Sequence, residues 1–238
     1  MQAVILAGGR GTRLRPYTVT FPKPLMPIGD LPILEIVLRQ LRAAGFDRIR
    51  IATGHLSELV RVFCGDGSKW KMRIEYSHET VPLGTAGPIA LMAGELDENF
   101  LVMNGDLLTT LNYQRAFEHH LKSGAAATVC VFRRDTKIDF GVIEVDGSGN
   151  LAKYTEKPTF DFTVSMGINF FHRRVLDHLR PGERTDIPDL ILKLIASGER
   201  VACYQEECRW LDIGRADDYL TATETFVQFQ HEFLPSDG

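Results

Sequence analysis

Short apolar runs that stop at glycine alternate with stretches of helical periodicity over the first hundred residues, and this alternation restricts the chain to few folds. Val4-Ile5-Leu6-Ala7 runs directly into Gly8-Gly9, which predicts a buried strand entering a loop. Residues 33–44 (ILEIVLRQLRAA) carry apolar side chains at helical spacing, with Pro32 suited to a first turn and Gly45 to a C-terminal cap. Residues 49–52 predict the next strand, 56–63 an amphipathic helix ending near Cys64-Gly65, and 73–76 a further strand. Residues 86–94 predict a helix, and 100–103 a buried strand ending at Asn104-Gly105-Asp106. An order of β-α-β-α-β-α-β requires helices covering a largely parallel sheet.

The rhythm changes after about residue 125. Residues 128–132, 142–145 and 164–171 predict strands with little helix between them, and Gly147-Ser148-Gly149-Asn150 predicts a hairpin turn. Residues 186–197 and 215–231 return to helical spacing. No internal repeat, low-complexity tract or Pro/Gly/Ser-rich linker interrupts the chain. The expectation is one domain over 1–238, with a nucleotide-binding part (1–125) and a second part (126–238) whose mixed strands close over another substrate and which ends in a C-terminal helix.

At 238 residues and 44% hydrophobic, such a chain can bury roughly 70–75% of its unfolded surface, so it needs no disulfide or structural metal. Lys and Arg number 27 against 31 Asp and Glu. This mildly acidic balance argues against non-specific binding to nucleic acid or a membrane surface. No apolar run approaches a membrane span, and MQAVILAGG lacks the basic start and longer apolar stretch of a signal peptide. A cytoplasmic setting is expected. Cys64, Cys130, Cys203 and Cys208 form no C-x-x-C pair, which predicts free thiols packed mostly as small apolar groups.

The segment Gly8-Gly9-Arg10-Gly11-Thr12-Arg13 follows the first strand at once. Glycines let backbone N–H groups approach an anion closely, and Arg13 adds a planar fork suited to phosphate oxygens. No Gly-Lys-Ser/Thr follows, so the loop is not a Walker A motif. Leu14 stands where the dinucleotide fingerprint needs its third glycine, which excludes a dehydrogenase of that type. Ten residues on, Lys23 lies between Pro22 and Pro24, which predicts a stiff extended segment holding an ammonium that neutralises a polyphosphate.

The string AGGRGTRLRPYT-x4-PKPLMPI closely resembles the signature of the sugar-1-phosphate nucleotidylyltransferases. Pro82-Leu83-Gly84-Thr85-Ala86-Gly87-Pro88 resembles that family's second nucleotide loop, and Val102-Met103-Asn104-Gly105-Asp106 its metal-aspartate strand end. Tyr154-Thr155-Glu156-Lys157-Pro158 is similar to the sugar-phosphate motif, and Trp210-Leu211-Asp212-Ile213-Gly214 to the second aspartate. Five motifs stand in the family's order over essentially the whole chain. The resemblance implies a Rossmann-like three-layer α/β/α fold, with a mixed, mainly parallel sheet and a sugar-binding subregion of extra strands. It also implies a short member without the C-terminal β-helix of the long forms.

The implied reaction joins a sugar-1-phosphate to a nucleoside monophosphate taken from NTP, releasing pyrophosphate. Arg13, Lys23, Asp106 and Asp212 would be its catalytic residues. Asp106 and Asp212 would hold Mg²⁺, a hard cation suited to carboxylate oxygens; Arg13 and Lys23 would grip the leaving phosphates. Leu6, Ala7, Gly8, Gly9, Gly11, Thr12, Arg13, Lys23, Glu79, Gly84 and Thr85 would bind the nucleotide. Gly141, Glu156, Lys157, Ser165 and Gly167 would bind the sugar phosphate. The family often has Asn-Ala-Gly where this chain has Ser165-Met166-Gly167; a serine offers a different donor set, so sugar preference does not carry over, and a plain strand position fits Ser165 as well.

Glu79 bears on the base. An ionised carboxylate only accepts hydrogen bonds, which suits the N1–H and 2-amino donors of guanine better than thymine or uracil. PLGTAGPIAL also looks most like the guanylyltransferase branch that takes mannose, heptose or glucosamine 1-phosphate. GTP is favoured on these grounds, with UTP, CTP or dTTP the near alternatives, since some uridylyl relatives also carry Glu here. A non-catalytic nucleotide-sugar-binding regulator is a further alternative, opposed by the presence of Arg13, Lys23, Asp106, Lys157 and Asp212 together. Partners expected are NTP and sugar-1-phosphate, and the resemblance admits a homodimer or higher homo-oligomer. His119-His120 reads as a surface pair, Trp70 and Phe63 as packing residues, and the aromatics around 215–231 as core or subunit contact.

Overall fold

A computed structural model describes residues 1–9 and 11–234. The chain opens with β1 (Gln2–Ala7), crosses a short ribbon of β2 (Pro27–Ile28) and β3 (Leu31–Pro32), and enters α1 (Ile33–Ala43). Next come β4 (Arg48–Thr53), α2 (Ser57–Cys64), β5 (Arg73–His78), α3 (Gly87–Leu91), β6 (Asn99–Asn104), β7 (Leu107–Thr109) and α4 (Tyr113–Ser123). The second half holds β8 (Ala127–Lys137), β9 (Val142–Val145), β10 (Leu151–Thr155), β11 (Thr159–His172), α5 (Ile187–Ala196), β12 (Val201–Tyr204), β13 (Trp210–Asp212), α6 (Ala216–Gln228) and α7 (Gln230–Phe233).

Seven strands form one sheet in the order β12-β8-β11-β6-β1-β4-β5. Neighbours β6-β1, β1-β4, β4-β5 and β8-β12 run parallel; β11 is antiparallel to both β6 and β8. The fold is thus the mixed, mainly parallel three-layer sandwich that the sequence predicts. Period-two alternation explains the layers. On β1, Ala3, Ile5 and Ala7 join a core under α1 and α4, while Val4 joins a second core with Ile89 of α3 and Leu190 of α5.

Two boundaries and the placement of one side chain differ from the sequence reading. The helix expected at 86–94 stops at Leu91, and a 3₁₀ turn at Ala93–Glu95 follows; Gly94 is a poor helix residue. The helix expected at 215–231 divides at Phe229 into α6 and α7. His119-His120 is not a surface pair, because His120 is 1% exposed. On α4 it follows Tyr113, Ala116 and Phe117 at helical spacing, so the helix turns it inward. Its Nδ1 lies 2.8 Å from Thr128 Oγ1 and its Nε2 3.2 Å from Asn99 Oδ1. All four cysteines are free thiols, with Cys64 and Cys130 buried. Trp70 is buried and packs on Phe63. No helix of the described residues is long and apolar enough to cross a membrane.

Candidate active site

The parallel strands β1, β4, β5 and β6 all deliver their C-terminal ends to one cavity of about 710 Å³. Open α/β sheets bind ligands at this edge. Leu6, Ala7, Gly8 and Gly9 line it from the end of β1, Gly54 and His55 from β4, His78 and Glu79 from β5, and Asn104 and Asp106 from β6. Gly11, Thr12, Arg13, Lys23, Gly84 and Thr85 complete the wall. Every residue that the sequence assigns to nucleotide binding therefore lies on this one surface.

Close packing fixes the loops. A side chain at Gly8 would overlap the Glu79 carboxylate, so a larger residue there would push Glu79 out of its place above the first loop. Glu79 Oε2 accepts a hydrogen bond from the Leu83 N–H at 2.9 Å. This bond closes the 79–83 segment and holds the second oxygen toward Gly8. Gly84 has φ +79°, and a Cβ there would sit 2.6 Å from the Thr185 carbonyl. The second loop is fastened to the start of α5. Ala86 and Gly87 N–H groups both donate to the Thr185 carbonyl, at 2.9 and 3.0 Å. The Thr85 hydroxyl lies 3.3 Å from Asp186 Oδ1 and accepts from the Ile187 N–H at 2.7 Å. Thr85 thus anchors the loop with its side chain and turns only its remaining surface to the cavity.

The two aspartates meet through a small ladder. β13 pairs antiparallel with β7, setting Asp212 opposite Leu107, the residue after Asp106. The Ile213 N–H also donates to the Asp106 carbonyl at 3.3 Å. Asp212 opens to solvent on one side, yet the surrounding protein removes enough water to raise its carboxyl pKa; the neighbouring Asp106 charge raises it further, and Lys23 and Arg13 oppose both. The Arg13 guanidinium lies against Gly214, where a Cβ would stand 3.7 Å from both its terminal nitrogens.

Lys23 opens a 3₁₀ turn, Lys23–Leu25, rather than lying on the expected extended segment, and is buried. Its ammonium forms an ion pair with Asp106 Oδ2. Asp106 Oδ1 is buried without a hydrogen-bond partner among the described residues. An orphaned buried carboxylate oxygen is costly, and two adjoining carboxylates suit a hard divalent cation whose remaining positions phosphate or water fills. The donor set fits Mg²⁺, although no group of three acidic, His or Cys ligands exists among the described residues.

The sugar-phosphate residues are elsewhere. None of Gly141, Glu156, Lys157, Ser165 and Gly167 lines the cavity. Gly141 faces the Tyr154 ring, and Glu156 accepts from the Tyr154 hydroxyl at 3.0 Å, both on the β9-β10 hairpin side. Lys157 adopts φ +44°, a costly backbone state for a side-chain-bearing residue. Ser165 Oγ lies 3.4 Å from the Gly167 N–H on β11. Gly167 joins this region to the cavity: with φ +73°, it lies so close to Asn104 that a Cβ would stand 2.7 Å from the Asn104 amide nitrogen. Sequence reasoning missed Asn104, His55, His78 and Arg184 as cavity residues. Asn104 was signalled by its place at a strand end; Arg184 had no signal, since it reaches the wall only through the loop anchored at Thr185.

The profile of the nucleotidyl transferase family matches residues 2–228. The chain is 34% identical over 241 residues to the UTP–glucose-1-phosphate uridylyltransferase of Synechocystis, covering 93% of this chain and 62% of that protein. It is 31% identical over 234 residues to the mannose-1-phosphate guanylyltransferase of Mycobacterium tuberculosis, covering 96% of this chain and 65% of that protein. It therefore spans somewhat under two thirds of the length of these relatives. A Bacillus anthracis structure described as a candidate glucose-1-phosphate thymidylyltransferase superposes with a TM-score of 0.76 at 23% identity, covering 94% of each chain. With the family profile running through nearly all of its elements and the fold shared, the chain belongs to the nucleotidyl transferase family.

Proposed function

We propose that the chain is a sugar-1-phosphate nucleotidylyltransferase that prefers GTP and uses Mg²⁺. The observation that carries this reading is the convergence of the glycine loop, Arg13, Lys23, Asp106 and Glu79 on one cavity, with Asp212 delivered beside Asp106.

A sugar-phosphate oxygen attacks the α-phosphorus, and the bond to pyrophosphate breaks in line with it. Both reactants are anions, so alignment and charge neutralisation supply most of the help. The first loop's backbone N–H groups face the triphosphate, and Arg13 and Lys23 offset the charge that grows on pyrophosphate. Asp106 and Asp212 would hold Mg²⁺, which would supply positive charge to offset that of the reacting phosphates. Lys157 and Glu156 orient the sugar phosphate and its hydroxyls. Ser165, Gly167 and Gly141 shape the surface on which the sugar lies, reached from the cavity past Asn104.

Glu79 supports the guanine preference. One carboxylate oxygen is spent on Leu83, and the other remains as an acceptor for guanine's N1–H and 2-amino group. The name of the Mycobacterium relative agrees with this choice. That of the Synechocystis relative makes uridylyl transfer the second reading.

The test crosses four NTPs with mannose, glucose, glucosamine and heptose 1-phosphates and follows pyrophosphate release. GTP should give the largest kcat/KM. Equal or greater efficiency with UTP would reject the role given to Glu79 while keeping the reaction class.

A further inference from the structure

Lys23 sets its ammonium against the carboxylate of Asp106, one of the two aspartates proposed to hold the metal. Pro22 and Pro24 flank it, the Met26 N–H donates to its carbonyl at 3.0 Å, and Pro24 packs close to Gly105. The backbone that carries Lys23 is therefore fixed beside Asp106, while its flexible four-carbon stem lets the ammonium change partner. The ammonium takes Oδ2 and leaves Oδ1 buried, with no hydrogen-bond partner among the described residues. The same ammonium lines the cavity that the triphosphate would enter.

We infer that Lys23 is the resident cation of the Asp106 site, and that an incoming triphosphate exchanges it for the divalent metal. This rests on the proposed metal role of Asp106 and Asp212. While Lys23 holds Oδ2, a second cation meets a neutralised carboxylate and the repulsion of an adjacent positive charge. The triphosphate brings several negative charges to the ammonium and draws it off Asp106. Oδ2 is then released from its ion pair and becomes available to the metal. Metal and nucleotide affinities are coupled in consequence, each strengthening the other by the same factor. The arrangement also keeps the site from filling with metal before a nucleotide is present.

The test measures Mn²⁺ affinity, by electron paramagnetic resonance of the free ion, in wild type, Lys23→Met, Lys23→Arg and Asp106→Asn, without nucleotide. Circular dichroism melting verifies that each variant is folded. Lys23→Met should bind Mn²⁺ at least about tenfold tighter than wild type, a conservative share of the field of a unit charge ~4 Å away at an effective dielectric of ~20. Lys23→Arg, which keeps the charge, should stay near wild type. The ratio of GTP Kd in EDTA to GTP Kd in saturating Mn²⁺, read by calorimetry, should be smaller in Lys23→Met than in wild type. Lys23→Met binding Mn²⁺ no tighter than wild type, while Asp106→Asn loses metal, would overturn the exchange alone. Asp106→Asn binding Mn²⁺ as wild type does, with GTP present, would overturn the metal reading and the exchange with it.

Discussion

His120 gives the fold a sharp acid limit. Burial pushes its pKa down from the ordinary 6.5 to about 4, and the positive charges of His172, Arg174 and His119 push the same way. Asn99 Oδ1 can only accept, so Nε2 carries the proton toward it and Nδ1 accepts from the Thr128 hydroxyl. The folded state therefore holds a neutral ring, while the unfolded chain protonates below about 6.5. Stability from this residue is fully present above pH 6.5 and is lost as pH falls toward 4, because the unfolded state then binds more protons. By pH 4.5 the loss amounts to about 2 to 3 kcal/mol, most of what the full shift is worth. Urea unfolding of wild type and His120→Gln at pH 7.5, 6.0, 5.0 and 4.5 measures it. Wild type should lose about 2 kcal/mol or more relative to the variant between the first and last pH. Parallel stability curves would refute the account of a neutral, desolvated His120.

Three further outcomes follow from the site. Asp106→Asn keeps the shape but removes an anionic oxygen, and should lower kcat at saturating Mg²⁺ by more than about 100-fold, as read by pyrophosphate release; EDTA should abolish release in wild type. Glu79→Gln replaces an acceptor with a donor beside Gly8 and should lower kcat/KM for GTP more than for UTP; an unchanged ratio would mean that Glu79 does not read the base. Gly84→Ala forces a Cβ onto a backbone at φ +79°, 2.6 Å from the Thr185 carbonyl. It should destabilise by more than about 2 kcal/mol and raise KM for the nucleotide, seen as a lowered melting temperature with altered kinetics.

The sheet was legible because its inner strands are continuous apolar runs bounded by glycine, a pattern that follows from burial on both faces. β10 was not, since Leu151–Tyr154 are all exposed and carry no core signal. β12 escaped because four residues at a sheet edge leave almost no periodicity. His120 was misread although its signal was present: reading Tyr113, Ala116, Phe117 and His120 as one helical face places it inside. The loops that line the cavity were legible as motifs because each is local in sequence. The Lys23–Asp106 pair and the β7-β13 register are not local, joining residues 83 and about a hundred positions apart. For the sugar-phosphate residues the sequence supplies chemistry, and the structure adds one physical link, the close contact of Gly167 with Asn104.

Phosphorus NMR of the complete reaction tests the central claim most directly. With GTP, a sugar-1-phosphate and Mg²⁺ together, nucleotide-sugar and pyrophosphate should appear in equal amounts, and neither should form when the sugar phosphate is omitted. Orthophosphate release from GTP alone, or no product with any NTP and sugar-1-phosphate pair from a folded protein, would contradict it.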